Sequence, residues 1–93
     1  MVRDASTPTW PDCAREIGFR LQRARKAKAM SQEAVAHAAG IALLTYYKFE
    51  KGESKPGTPM NPRLTTLLAL CQALEIELID LIPSPLPDLT KGR

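Results

Sequence analysis

Arg20, Arg23, Arg25, Lys26 and Lys28 form the densest run of cations in the chain. Guanidinium and ammonium groups at this density suit the neutralisation of a polyanion such as a nucleic-acid backbone; the plain alternative is a solvated helix face. The overall net charge of +3 is mild but unevenly placed. Residues 1–63 carry 11 Lys/Arg against 6 Asp/Glu, a net +5, and residues 64–93 carry 2 against 4, a net −2. Such asymmetry points to one basic face. Covalent chemistry has no comparable set of residues. His37 stands without a His, Cys or carboxylate at metal-ligand spacing and reads as a solvated surface residue. Ser31 near His37 is ordinary helix chemistry, and no glycine-rich phosphate loop follows a strand. Cys13 and Cys71 belong to no CxxC pair. With no secretory segment and no apolar run near the ~20 residues of a membrane helix, they read as reduced, buried or half-buried thiols in a cytoplasmic protein. The expectation is a protein with no catalytic role, no cofactor and no metal.

The elements that must position these residues are helical. Ninety-three residues allow one domain with a core near the lower comfortable limit, so contacts between copies can add stability. A composition rich in Ala, Leu, Lys, Arg and Glu suits helices, giving an all-α expectation. Residues 1–10 read as a flexible segment, 11–82 as the folded domain and 83–93 as a Pro-rich tail. Pro11 and Asp12 favour a helix start. Ile17, Leu21 and Ala24 recur at helical spacing in a helix running from Cys13 to about Lys28, with Gly18 permitting close packing by a neighbour. Ser31 is a suitable N-cap, Met30 and Val35 suit a hydrophobic staple, and Gly40 ends the second helix, Gln32 to about Ala38. Leu43 to Lys51 form a third helix, ended by Gly52. Glu53–Asn61 reads as a loop with no strand pattern. Asn61-Pro62 predicts the start of a fourth helix whose apolar face is Leu64, Leu67, Leu68, Cys71 and Leu74. A short fifth helix spans about Glu77 to Ile82.

Residues 31–52, SQEAVAHAAGIALLTYYKFEKG, carry the main motif. Two short helices joined by a glycine-containing turn must cross steeply, which projects the second outward. A protruding helix of this diameter fits the major groove of B-DNA. Ala36 and Ala39 supply small residues where the helices touch, and Ile41, Tyr46 and Phe49 seal the core beneath.

The sequence here resembles the Cro and phage-repressor family of helix-turn-helix domains, the Xre type. The resemblance covers about residues 17–82 and rests on Leu21, Arg25, Ser31-Gln32-Glu33, Val35-Ala36, Gly40, Glu50-Lys51-Gly52, Pro56 and the Leu67–Leu81 pattern. It implies a five-helix, lambda-repressor-like domain in which Gln32 to Ala38 is the positioning helix and Leu43 to Lys51 the recognition helix. It implies a structural ion pair between Arg25 and Glu50, and phosphate contacts from Ser31, Gln32, Lys51 and Lys55. Base reading falls to Ala42, Leu43, Leu44, Thr45, Tyr47 and Lys48. Related repressors often present Gln, Arg, Asn or Ser at such positions, whereas Leu43 and Leu44 offer no hydrogen bonds. Leucines can pack on thymine methyl groups while Lys48 reaches guanine; an exposed Leu-Leu-Tyr surface can equally hold a protein.

Leu78 and Leu81 match the family's core positions, leaving Ile79, Ile82 and Leu86 as surplus apolar surface for a homodimer, or for a tail folded over its own monomer. The connection 57–62 is longer than the family's usual one and reads either as a DNA contact near Lys55 and Arg63 or as a longer turn. The expected function is a sequence-specific transcriptional regulator of the repressor kind, with double-stranded DNA as partner. The alternative is a protein-interaction adaptor or antitoxin-like module that keeps the fold.

Overall fold

The computed structural model describes residues 8–90, in which five helices enclose one core and a small hairpin is attached to their side. The expectation of a flexible start concerns residues 1–7 for the most part, and these lie outside the described residues. Helix α1 spans Trp10–Ala27 and begins earlier than Pro11 because Thr9 and Asp12 cap it reciprocally. The Thr9 N–H donates to Asp12 Oδ2 at 3.0 Å and the Asp12 N–H to Thr9 Oγ1 at 3.3 Å. Such a box satisfies two amides that a helix end otherwise leaves open.

Helix α2, Gln32–Ala39, starts at Ser31, whose Oγ accepts from the Ala34 N–H at 3.0 Å. It stops at Gly40, where φ of +71° turns the chain in a conformation that glycine adopts without a Cβ penalty. Helix α3, Leu43–Lys51, follows after two residues. Its N-cap, Ala42, makes no side-chain cap, so the first-turn amides of α3 have no acceptor of that kind.

The segment after Gly52 departs from the loop expected. Glu53–Lys55 (β1) and Thr58–Pro59 (β2) pair antiparallel around Pro56-Gly57. Proline followed by a glycine at φ of +82° suits a tight turn. Glu53 Oε2 accepts from the Gly57 N–H at 3.2 Å, and the Met60 N–H donates to the Gly52 carbonyl at 2.8 Å. That last bond closes the hairpin at Met60, and the chain reaches the next helix through Arg63, extended at φ −70° and ψ 147°. Helix α4 therefore begins at Leu64, with Arg63 as N-cap, and not at Asn61-Pro62.

Helix α4 ends at Leu74, and α5 is one turn, Leu78–Leu81. The core joins Ile17 and Leu21 of α1, Val35 and Ala36 of α2, Tyr46 and Phe49 of α3, Leu67, Leu70, Cys71 and Leu74 of α4, and Leu81. Leu64 and Leu68 are exposed instead of sharing the α4 core face, a place taken by Leu70. Cys13 and Cys71 are buried free thiols, and burial pushes both up from the ordinary thiol value. Ile82 also departs from expectation. It leaves the helix in extended conformation (φ −86°, ψ 119°) and packs half-buried against the core, so it is not surplus surface. Among the described residues no helix is long and apolar enough to cross a membrane.

Candidate nucleic-acid interface

The outer surface of α3 is built by the residues on its inner one. Tyr46 and Phe49 are buried, and Glu50 lies at the edge of the core. The Arg25 Nε donates to Glu50 Oε2 at 2.6 Å and its Nη2 to Oε1 at 3.2 Å, a forked contact with both side chains largely covered. Two more donors converge on the same carboxylate. The Tyr46 hydroxyl donates to Oε2 at 2.5 Å, and Gln32 Nε2 donates to Oε1 at 3.0 Å. Arg25 also reaches the Met30 carbonyl through Nη1 at 3.1 Å. Glu50 thus ties α1, α2 and α3 at one point.

Burial alone would raise the Glu50 pKa, but the hydrogen bonds from Arg25 and Tyr46 outweigh it and hold the carboxyl below its ordinary value. Burial, and then the neighbouring Glu50, push the Tyr46 hydroxyl well up, so it remains a donor. A carboxylate with four donor contacts keeps its charge satisfied in a poorly solvated place.

With that side of α3 fixed inward, the residues between the anchors face out. Ala42, Leu44, Tyr47 and Lys51 are exposed, while Thr45 and Lys48 are half-buried. Leu43 differs from Leu44, since it packs partly against the core. Beside α3 lies a groove of about 600 Å³, lined by Leu44, Tyr47, Lys48, Glu50 and Lys51 of α3 and by Glu53, Ser54 and Lys55 of the hairpin. Gln32 reaches it from α2. Of the residues singled out for phosphate, Ser31 and Gln32 each hold an internal hydrogen bond, while their helix end still presents the first amides of α2.

The basic run on α1 does not act as one surface. Arg20 pairs with Glu16 at 3.0 Å and donates to the carbonyls of Asp80 and Ile82 at 3.3 and 3.4 Å, tying α1 to the end of α5. Lys28 pairs with Glu75, and Arg25 is committed to Glu50. Arg23 and Lys26 are exposed. Like Arg23 and Lys26, Lys48, Lys51 and Lys55 enter none of the ion pairs among the described residues. In α5 and just after it, Ile79 and Leu86 are 77% and 62% exposed.

Three features escaped the sequence reading: the hairpin wall with Ser54, the bond from Gln32 to Glu50, and the Tyr46 hydroxyl. Only the last left a local sign, since Tyr46 and Glu50 are four apart on one helix face.

This arrangement has known counterparts. Residues 20–83 match the family described as the Cro/C1-type HTH DNA-binding domain. The chain belongs to that family. Among solved structures, this Cro/C1-type domain is similar to the restriction-modification controller protein C.AhdI from Aeromonas hydrophila, with 32% identity, a TM-score of 0.65, and coverage of 74% of this chain and 96% of that one. It is similar to the biofilm master regulator SinR, solved in complex with DNA, at 26% identity and a TM-score of 0.60 over 70% of this chain and 95% of that one. The P22 c2 repressor, solved with a synthetic operator, gives 26% identity and a TM-score of 0.61 over 71% and 91%. No match was found among curated proteins. The Cro/C1-type domain is thus of the class of DNA-binding regulators, and its helix-turn-helix comprises α2 and α3.

Proposed function

We propose that the chain is a sequence-specific transcriptional regulator of the repressor kind that inserts α3 into the major groove of DNA. The observation that carries this reading is the division of α3 into two faces. Tyr46, Phe49 and Glu50 are locked inward, and Leu44, Tyr47, Lys48 and Lys51 are held outward on a rigid element. A base-reading helix needs such fixation, because side chains that must also be ordered on binding lose affinity.

In this reading Ala42, Leu44, Thr45, Tyr47 and Lys48 meet base edges, with Leu43 underneath as support. The first amides of α2, with Ser31 and Gln32, hold phosphate by helix-end geometry. Lys51 and Lys55 supply salt-sensitive affinity. Arg25 and Glu50 are structural. Ile79 and Leu86 form the self-complementary surface of a two-fold dimer, which sets two recognition helices about 34 Å apart.

The test is selection of bound sequences from a random duplex pool at near-physiological salt. The expected product is a motif of two inverted half-sites. Weak binding without enrichment, lost as salt rises, contradicts sequence reading. One observation favours a second reading, a partner-binding module. Leu44 is 65% exposed on the very helix that should read bases. Under that reading the pool yields no motif, and Leu44→Ala removes a protein partner instead of an operator.

A further inference from the structure

Helix α1 has an outward strip that serves neither the core nor the groove beside α3. Cys13, Ile17 and Leu21 turn inward, and the helical turn places Phe19 on the opposite side. Its ring is 61% exposed. Arg15 stands one turn before Phe19, Arg23 one turn after it and Lys26 two turns after it, all three exposed. None of the four lines the groove beside α3. Arg15 is paired with Asp12, whereas Arg23 and Lys26 meet no carboxylate among the described residues. From Arg15 to Lys26 the strip runs about 16 Å, three turns of helix.

We propose that this strip docks an acidic amphipathic helix of a partner protein, with Phe19 as the apolar anchor and Arg23 and Lys26 holding carboxylates. Aromatic and arginine side chains are the groups that most often anchor protein interfaces. Charge complementarity names the occupant. A phosphate backbone would satisfy the cations but leave the ring uncovered, and a membrane surface calls for a broader apolar face than one ring. An acidic helix with apolar residues at its centre meets both demands over the same length. The surface lies apart from the proposed DNA-reading face and does not rest on that reading.

The experiment adds a synthetic peptide to the labelled full chain at near-physiological salt and follows amide chemical shifts. The peptide is a capped, alanine-based helix of about three to four turns, with two leucines on one face and glutamates one turn to either side. Saturable shifts along Arg15–Lys26 below about 1 mM peptide, with α3 unmoved, are the expected result. Phe19→Ala should lower affinity about tenfold. Arg23→Gln combined with Lys26→Gln should weaken binding and flatten its salt dependence. Phe19 is exposed, so its variant should keep the thermal midpoint of the parent. The proposal is overturned by an unmoved strip, by unchanged affinity in Phe19→Ala, or by equal binding of a peptide whose leucines are replaced by serine. Displacement of the peptide by duplex DNA or by phosphatidylserine vesicles that themselves shift the strip also overturns it, and gives the face to phosphate or to lipid.

Discussion

Gly18 of α1 lies against the main chain of Glu50 on α3, so closely that a Cβ on Gly18 would sit 2.5 Å from the Glu50 carbonyl oxygen and 2.7 Å from that of Phe49. Both obstacles are backbone, which cannot swing aside as a flexible side chain can. The contact sets how closely α3 packs on α1, and the side chain of the same Glu50 gathers Arg25, Tyr46 and Gln32.

Gly18→Ala should therefore destabilise the fold, although alanine is the better helix former. Overpacking of this kind costs about 1–3 kcal/mol, against roughly 1 kcal/mol gained in helix propensity. Urea denaturation followed by circular dichroism measures the balance. A variant more stable than the parent would mean that α1 and α3 are free to separate.

Removing Arg25 leaves a largely covered carboxylate with its forked partner gone. Arg25→Ala should cost about 3–5 kcal/mol, as for other broken covered pairs. The pH dependence has a definite sign. Glu50 is depressed in the folded state, so its stabilisation is complete above the ordinary carboxyl value of 4.5 and fades as pH falls through the lower folded value. Asp12, depressed first by its backbone and side-chain bonds to Thr9, acts in the same direction. Urea midpoints measured from pH 7 downward should fall in acid, and Glu50→Gln should flatten that fall.

Lys51→Gln and Lys55→Gln should weaken binding to all duplexes by similar factors. Each should reduce the slope of log affinity against log salt by about one. Anisotropy titrations at several salt concentrations give both quantities. A change of preferred sequence in either variant would place that lysine on a base.

Ile79→Asp and Leu86→Asp act on the proposed dimer surface and remain clear of the core. Sedimentation at micromolar concentration should show the parent at twice the chain mass of 10.3 kDa and the double variant at that mass. A parent that remains a monomer at all concentrations and on its operator would remove the two-fold arrangement.

Much of the fold was legible because its signals are local. Ser31 caps and Gly40 terminates α2 through atoms within a few residues, so the helix-turn-helix could be read from residues 31–52. The hairpin was not legible, since strands of three and two residues are too short for an alternating pattern. Its consequence, the displacement of the α4 start from Asn61-Pro62 to Leu64, was hidden with it. Leu64 and Leu68 carry the right residue type for a core, but which edge of a helix is covered depends on its neighbours. At the candidate interface, residue types named the outward surface of α3, whereas the difference between Leu43 and Leu44 depends on packing. The commitment of Gln32 to Glu50 joins residues 18 apart and needs three helices already assembled.

The central claim, that the outward face of α3 meets DNA, is tested most directly by mapping amide chemical shifts of labelled protein on adding the selected operator and then a scrambled duplex. The operator should move Ala42–Lys51, the start of α2 and Lys55, and the scrambled duplex should move the lysines and the α2 end but leave Leu44 and Tyr47 little changed. Shifts confined to α4 and α5 would contradict it, and identical shifts of α3 with both duplexes would leave the contact but contradict its sequence specificity.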